Sequence, residues 1–187
     1  MRFDDPSYVD AWGRAGVFPR IHQGIVQHVL TETEPVDGHV LDLGACTGLL
    51  GRQLADNGFT VFAVQEPGPA HDLGRGRGVF DPIPVLDLRV TPDTIGTLVA
   101  WIEQVDVRTV IARRVFPELW DALGGKAGFD QLAEGLADAG VERIFLEGRA
   151  VSSRTTHPLG DAAREVAALA PTWRGRVRGT LGTLERA

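Results

Sequence analysis

The sequence predicts an α/β layered fold built on a mostly parallel, doubly wound sheet, and three observations carry that expectation. Strand-like and helix-like segments alternate from about residue 39 to the end, and parallel strands need such crossovers. Residues 39–58, HVLDLGACTGLLGRQLADNG, read as a short apolar strand, a glycine turn and the start of a helix. The chain has 187 residues, 43% apolar and 24% charged, which suits a single globular domain with one good core.

Residues 1–38 hold two aromatic-bearing stretches, YVDAWGRAGVF and RIHQGIVQHVLTE. In the second, Ile21, Ile25, Val29 and Leu30 recur at helical spacing, so this segment is expected to pack on a core domain spanning 39–187. A strand over about 39–43 follows. The next helix carries Leu49, Leu50 and Leu54 and stops at Asn57-Gly58. FTVFAVQE is the second strand. PGPAHDLGRGRG is rich in Gly and Pro and is read as loop. IPVLDLRV is a third strand.

TPDTIGTLVAWIEQV is a capped helix, starting at Thr91 or Asp93, with Leu98, Val99 and Ile102 inward. RTVIARRVF is the fourth strand, and PELWDALGG a short helical turn. FDQLAEGLADAG is a helix ending at Gly140, and VERIFLEG the fifth strand. PLGDAAREVAALAP is the last helix, and the tail WRGRVRGTLGTLE alternates as one strand or a hairpin.

Composition narrows the function classes. A net charge of -6 argues against general nucleic-acid binding. No apolar run approaches the roughly 20 residues of a membrane span. The acidic start MRFDDPSYVD is no signal peptide, so the expected location is the cytoplasm. Cys46 is the only cysteine, which excludes an internal disulfide and a cysteine-based zinc site. His22, His28, His39 and His71 form no metal-ligand spacing, and no metal is expected. Lys126 is the only lysine among 19 basic residues, a bias read first as the codon usage of a GC-rich genome rather than as a preference for anions.

In a doubly wound sheet the ligand lies beyond the carboxyl ends of the strands, which is where LDLGACTG falls. A P-loop is excluded because no Gly-Lys-Ser/Thr follows, and Cys46 breaks the dinucleotide fingerprint. VLDLGACTG resembles the first motif of class I S-adenosylmethionine-dependent methyltransferases, an acidic residue followed by glycines at every second position. Those positions here are Asp42, Gly44, Cys46 and Gly48, and the resemblance runs over about residues 39–66. It implies a Rossmann-like seven-stranded sheet with helices on both faces and the last strand antiparallel. It also implies S-adenosylmethionine as cofactor.

Gly44 would let the backbone approach the methionine part of the cofactor. Asp42 would orient the loop or receive the cofactor's ammonium. Cys46 replaces the middle glycine at modest steric cost, provided its φ is negative. The family grips the ribose with an acid at the end of the second strand; Gln65 stands there and Glu66 follows it. Asp87 is the candidate partner for the adenine amine. Gln65, Cys46 and the apparent loss of the helix after the second strand favour a lapsed, scaffold-like domain. Asp42, Gly44 and Gly48 favour an enzyme.

The resemblance places acceptor-facing groups after the fourth strand, where the DPPY-like and Pro-Cys motifs of base methylation are missing. Arg113-Arg114 stands there, and strand alternation would send the two to opposite faces. Arg113 would hold a small anionic or nucleotide-like acceptor; the alternative is an ion pair on the sheet. Glu147 and His157 are candidate bases. Arg174, Arg176 and Arg178 would line one strand face, a phosphate track or a solvated edge. The expected partner is a small molecule, with a protein partner if catalysis is lost. No membrane association is expected.

Overall fold

A computed structural model describes residues 18–150 and 156–187. The stretch YVDAWGRAGVF lies almost wholly outside them. Two compact units divide the chain, residues 1–89 and 90–187.

In the first unit, helix α1 (Phe18–Glu32) precedes strand β1 (His39–Leu43), helix α2 (Leu49–Ala55), strand β2 (Val61–Gln65), helix α3 (Pro69–Gly76) and strand β3 (Val85–Asp87). The strands are parallel, with Asp42 level with Ala63 and Gln65 level with Asp87. Val40, Leu41, Leu43, Val61, Ala63 and Val64 are buried, as continuous apolar strands of a parallel sheet require. Helix α2 ends as its Asn57-Gly58 signal predicts, with Gly58 at φ +92°.

Helix α3 corrects one expectation. Residues 69–76 were read as loop from their glycines, yet Pro69 occupies the first turn, where a fixed φ and a missing N–H cost nothing. Gly74 is needed for packing: a Cβ there would sit 2.5 Å from Thr47 O. Gly74, one of the glycines that argued against a helix, is what lets it lie close to the β1–α2 loop.

In the second unit, helix α4 (Ile95–Gln104), strand β4 (Val107–Arg113), helices α5 (Phe116–Ala122) and α6 (Lys126–Asp138), strand β5 (Arg143–Glu147), helix α7 (Ala162–Ala168) and the hairpin β6 (Trp173–Arg178) and β7 (Leu181–Arg186) follow in order. β4 and β5 are parallel, and β7 runs antiparallel to both β5 and β6. Leu98 and Ile102 of α4 are fully buried, as their spacing predicts. Gly135 lets α6 approach: a Cβ there would be 2.7 Å from Val99 Cγ2. Trp173 is buried, and its ring N–H donates to Ala133 O at 3.0 Å.

The strands form one seven-stranded sheet of order β3-β2-β1-β4-β5-β7-β6. Its last strand is antiparallel and β1 is interior, so the predicted Rossmann-like class stands. No described helix is long and apolar enough to cross a membrane.

Candidate functional site

The loop leaving β1 is shaped by backbone conformation before any side chain acts. Gly44, Cys46 and Gly48 have φ of +76°, +57° and +78°. Glycine reaches that region without steric cost; a residue with a Cβ loses roughly 1–2 kcal/mol there. Cys46 was expected to be tolerated on condition that its φ were negative. That condition is not met, so Cys46 carries strain. The N–H groups of Gly44 and Ala45 both donate to Val64 O, at 2.9 and 3.1 Å, and bind the loop to β2.

Asp42 is buried, and its Oδ2 accepts from Gly51 N–H at 2.9 Å. Gly48, the N-cap of α2, has no side chain to cap with, so a carboxylate on the preceding strand supplies the missing acceptor. Of the two roles suggested for Asp42, this contact is the loop-orienting one. Thr47 Oγ1 is buried with no hydrogen-bond partner. A buried orphan hydroxyl costs about 1–3 kcal/mol unless something bonds it. Two left-handed glycines and an unsatisfied hydroxyl on one loop fit a polar ligand lying on its backbone.

The far side of this unit is more self-contained. Gln65 Oε1 accepts from Cys46 N–H, and its Nε2 donates to Glu66 O at 2.9 Å. Glu66 is exposed and lies 3.7 Å from Arg89. Both oxygens of Asp87 accept from Arg75 Nη2 at 3.1 Å, and Asp87 Oδ1 lies 3.2 Å from the buried His71 ring. Phe80 packs edge-on to His71, ring centroids 5.4 Å apart, and against Gly48, where any Cβ would run into its ring. Sequence reasoning missed His71 and Arg75, which lie in the segment taken for loop, and Phe80, which follows it.

In the second unit the Arg113-Arg114 pair departs from strand alternation. β4 ends at Arg113, and Arg114 turns left-handed at φ +55°. Both guanidinium groups therefore reach one carboxylate. Arg113 Nε lies 3.0 Å from Glu147 Oε2, and Arg114 Nη2 lies 3.4 Å from Glu147 Oε1. Arg113 Nη2 is buried without a partner. Glu147 is buried, and each of its oxygens faces a guanidinium. His157 Nδ1 accepts from Leu159 N–H at 3.0 Å, which leaves Nε2 to donate to Asp121 Oδ1 at 3.1 Å. Arg174, Arg176 and Arg178 are exposed on edge strand β6, with Arg174 level with Glu185.

A second acidic group went unnoticed in the sequence. Glu165 on α7 is fully buried, and neither carboxyl oxygen has a partner. Burial, and then the charges of Glu118 and Asp161, push its pKa up to about 8. Burial also raises Glu118, whose Oε1 lies 3.5 Å from Arg149 Nη2. The available signal was an acid on an apolar face: Glu165 falls three residues after Ala162 and four before Leu169, both buried. Among the described residues no group of His, Cys, Asp and Glu could hold a metal ion.

No family model matches the chain, and no curated protein sequence does. Solved structures are similar to it. WbdD, a bifunctional kinase-methyltransferase, superposes with a TM-score of 0.62 at 17% identity over 88% of this chain and 38% of that protein. The chain thus spans under two fifths of WbdD. The glycopeptide N-methyltransferase MtfA, solved with S-adenosylhomocysteine, gives 0.61 at 17% identity, covering 86% of this chain and 88% of MtfA. Magnesium protoporphyrin IX methyltransferase ChlM from Synechocystis PCC 6803, solved with bound S-adenosylmethionine, gives 0.62 at 14% identity, covering 90% and 79%. The chain has the class I methyltransferase fold.

Proposed function

We propose that this protein is an S-adenosylmethionine-dependent methyltransferase whose first unit holds the cofactor on the loop 44–48. The observation that carries this reading is that loop's conformation: left-handed glycines at 44 and 48, capped from the strand by Asp42, with Thr47 Oγ1 unsatisfied. Gly44 would lie under the methionine part and Thr47 would bond it. Glu66, displaced by one residue from the family's ribose acid, would serve the ribose. The cofactor supplies the methyl group; the chain's task is to hold it in line for displacement.

Titration calorimetry with S-adenosylmethionine and S-adenosylhomocysteine tests this directly. Gly44→Ala is expected to weaken both by about tenfold or more, since a Cβ at φ +76° both strains the loop and enters ligand space. Valine is a poorer probe, because a branched residue at that φ would disturb the loop by itself. Unchanged affinity in a folded Gly44→Ala protein would remove the cradle.

The acceptor reading, a small anionic molecule, rests on Arg113. Its Nε is committed to Glu147, but its buried Nη2 is a donor that an anionic oxygen would satisfy. A charge-assisted bond is worth about 1.5–3 kcal/mol, so Arg113→Ala should cost about ten- to a hundredfold in acceptor kcat/KM. Cofactor affinity should not change. Arg114→Ala, at the more exposed guanidinium, should cost less. Equal and small effects in an active enzyme would exclude the anion clamp. A second reading, a binding domain without catalysis, is favoured by Gln65 and Asp87, whose polar atoms are already bonded within the unit. Cofactor binding without turnover on any small carboxylate or nucleotide would favour it.

A further inference from the structure

The geometry points to Gln65 as a positioning residue for the cofactor loop: its side-chain amide clamps Cys46 in the left-handed conformation, so that the two form one functional pair. The inference rests on the cofactor reading above and adds to it a residue-level account of how a broken glycine motif keeps its shape. It concerns only the first unit.

A non-glycine residue at φ +57° persists only where its surroundings hold it there. Cys46 is held by a bond from its own N–H, and the acceptor comes from the end of β2, 19 residues along the chain. The orientation of that amide is fixed by its second bond. Gln65 Nε2 donates to Glu66 O at 2.9 Å. Turning the amide over would set NH₂ against the Cys46 N–H and oxygen against the Glu66 carbonyl, two repulsive contacts in place of two bonds. The clamp therefore needs one acceptor and one donor on a single planar group.

This requirement separates glutamine from the acid that usually ends the strand. A carboxylate at position 65 could accept from Cys46 N–H, but its other oxygen would face the Glu66 carbonyl with no proton to share. Glycine at position 46 would hold the loop without help, because it enters the left-handed region freely. The two positions are thus alternatives as pairs: glycine with an acid that is left to grip the ribose, or cysteine with a glutamine that is spent on the loop. On this account Gln65 is not a weakened ribose ligand, and restoring the acid does harm.

Gln65→Glu is accordingly expected to weaken S-adenosylhomocysteine binding by about tenfold, the change one lost hydrogen bond near the top of the usual range produces. It should also lower the melting temperature, by roughly 2–4 °C per lost bond in a chain of this size. In a Cys46→Gly background the same change should be neutral or should tighten binding. A protonated glutamic acid can both accept and donate, so the melting deficit of Gln65→Glu relative to wild type should shrink as pH falls toward about 4.

Calorimetry with S-adenosylhomocysteine and thermal melting on the wild type, both single variants and the double variant make the full cycle. Tighter binding by Gln65→Glu in the wild-type background would overturn the clamp. So would equal losses in both backgrounds, because the two residues would then act independently. If the wild-type protein binds neither S-adenosylmethionine nor S-adenosylhomocysteine, the cofactor reading fails while the clamp is still decided by melting. A loss confined to the cysteine background would support it, and equal losses would overturn it.

Discussion

Glu165→Leu is expected to stabilise the protein at pH 8 and to flatten its stability between pH 5 and 8. The wild-type carboxyl is fully buried without a hydrogen bond, and its pKa is raised to about 8. Unfolding returns it to water and to an ordinary value near 4.5. The folded state therefore holds a proton that the unfolded state has lost, throughout the window between those values. A raised pKa contributes stability below the unfolded value, and that contribution is lost as pH rises through the folded one. The slope is about -1.4 kcal/mol per pH unit, so Glu165 can remove at most roughly 4 kcal/mol between pH 5 and 8.

Leucine has a similar volume and no proton to lose, and an unpaired buried acid replaced by an apolar side chain is commonly neutral or stabilising. Glu118 titrates in the same direction and stays in the variant, so a shallower slope remains. The charge of Glu118 is one reason Glu165 resists ionisation. Urea unfolding at pH 5, 6.5 and 8 measures both slopes. Parallel curves for variant and wild type would mean that Glu165 is hydrated in solution.

Gly48→Ala should destabilise the first unit by about 2–4 kcal/mol. The backbone part, roughly 1 kcal/mol, comes from holding a Cβ at φ +78°. The remainder comes from overpacking, because the new carbon would enter the Phe80 ring, and forced-in methyl groups cost about 1–3 kcal/mol. The two contributions are separable. Phe80→Leu trims the ring edge and should return most of the packing loss in the double variant, while the strain remains. The coupling read from the four proteins by urea unfolding should be favourable and near 1 kcal/mol or more. A Gly48→Ala protein within 0.5 kcal/mol of wild type would mean that the loop and Phe80 move apart at little cost.

Much of the architecture was written in local pattern. Apolar runs at VLDL, VFAV and VIA mark strands buried on both faces, and capping signals such as Asn57-Gly58 mark where helices stop. Both are properties of neighbouring residues, and short-range sterics and burial settle them. The glycine loop at 44–48 was legible for the same reason, since its spacing reflects the backbone alone. Helix α3 was misread because its glycines were weighed as breakers. Gly74 among them serves close contact with Thr47, which is distant in sequence.

The candidate site divides along the same line. Asp42, Gly44 and Gly48 could be picked out by type and spacing, but not the partners that give each polar group its task. Asp42 caps a helix from a strand, Gln65 bonds a residue 19 positions earlier, and Arg113 and Arg114 share Glu147 because β4 stops between them. Glu165 shows the limit most clearly. A glutamate in AAREVAALAP is unremarkable in sequence; it becomes a raised-pKa acid only when packing removes water and brings Glu118 and Asp161 within electrostatic reach. Hydrogen-bond partners and desolvation depend on what the chain folds against, so only the tertiary structure could decide them.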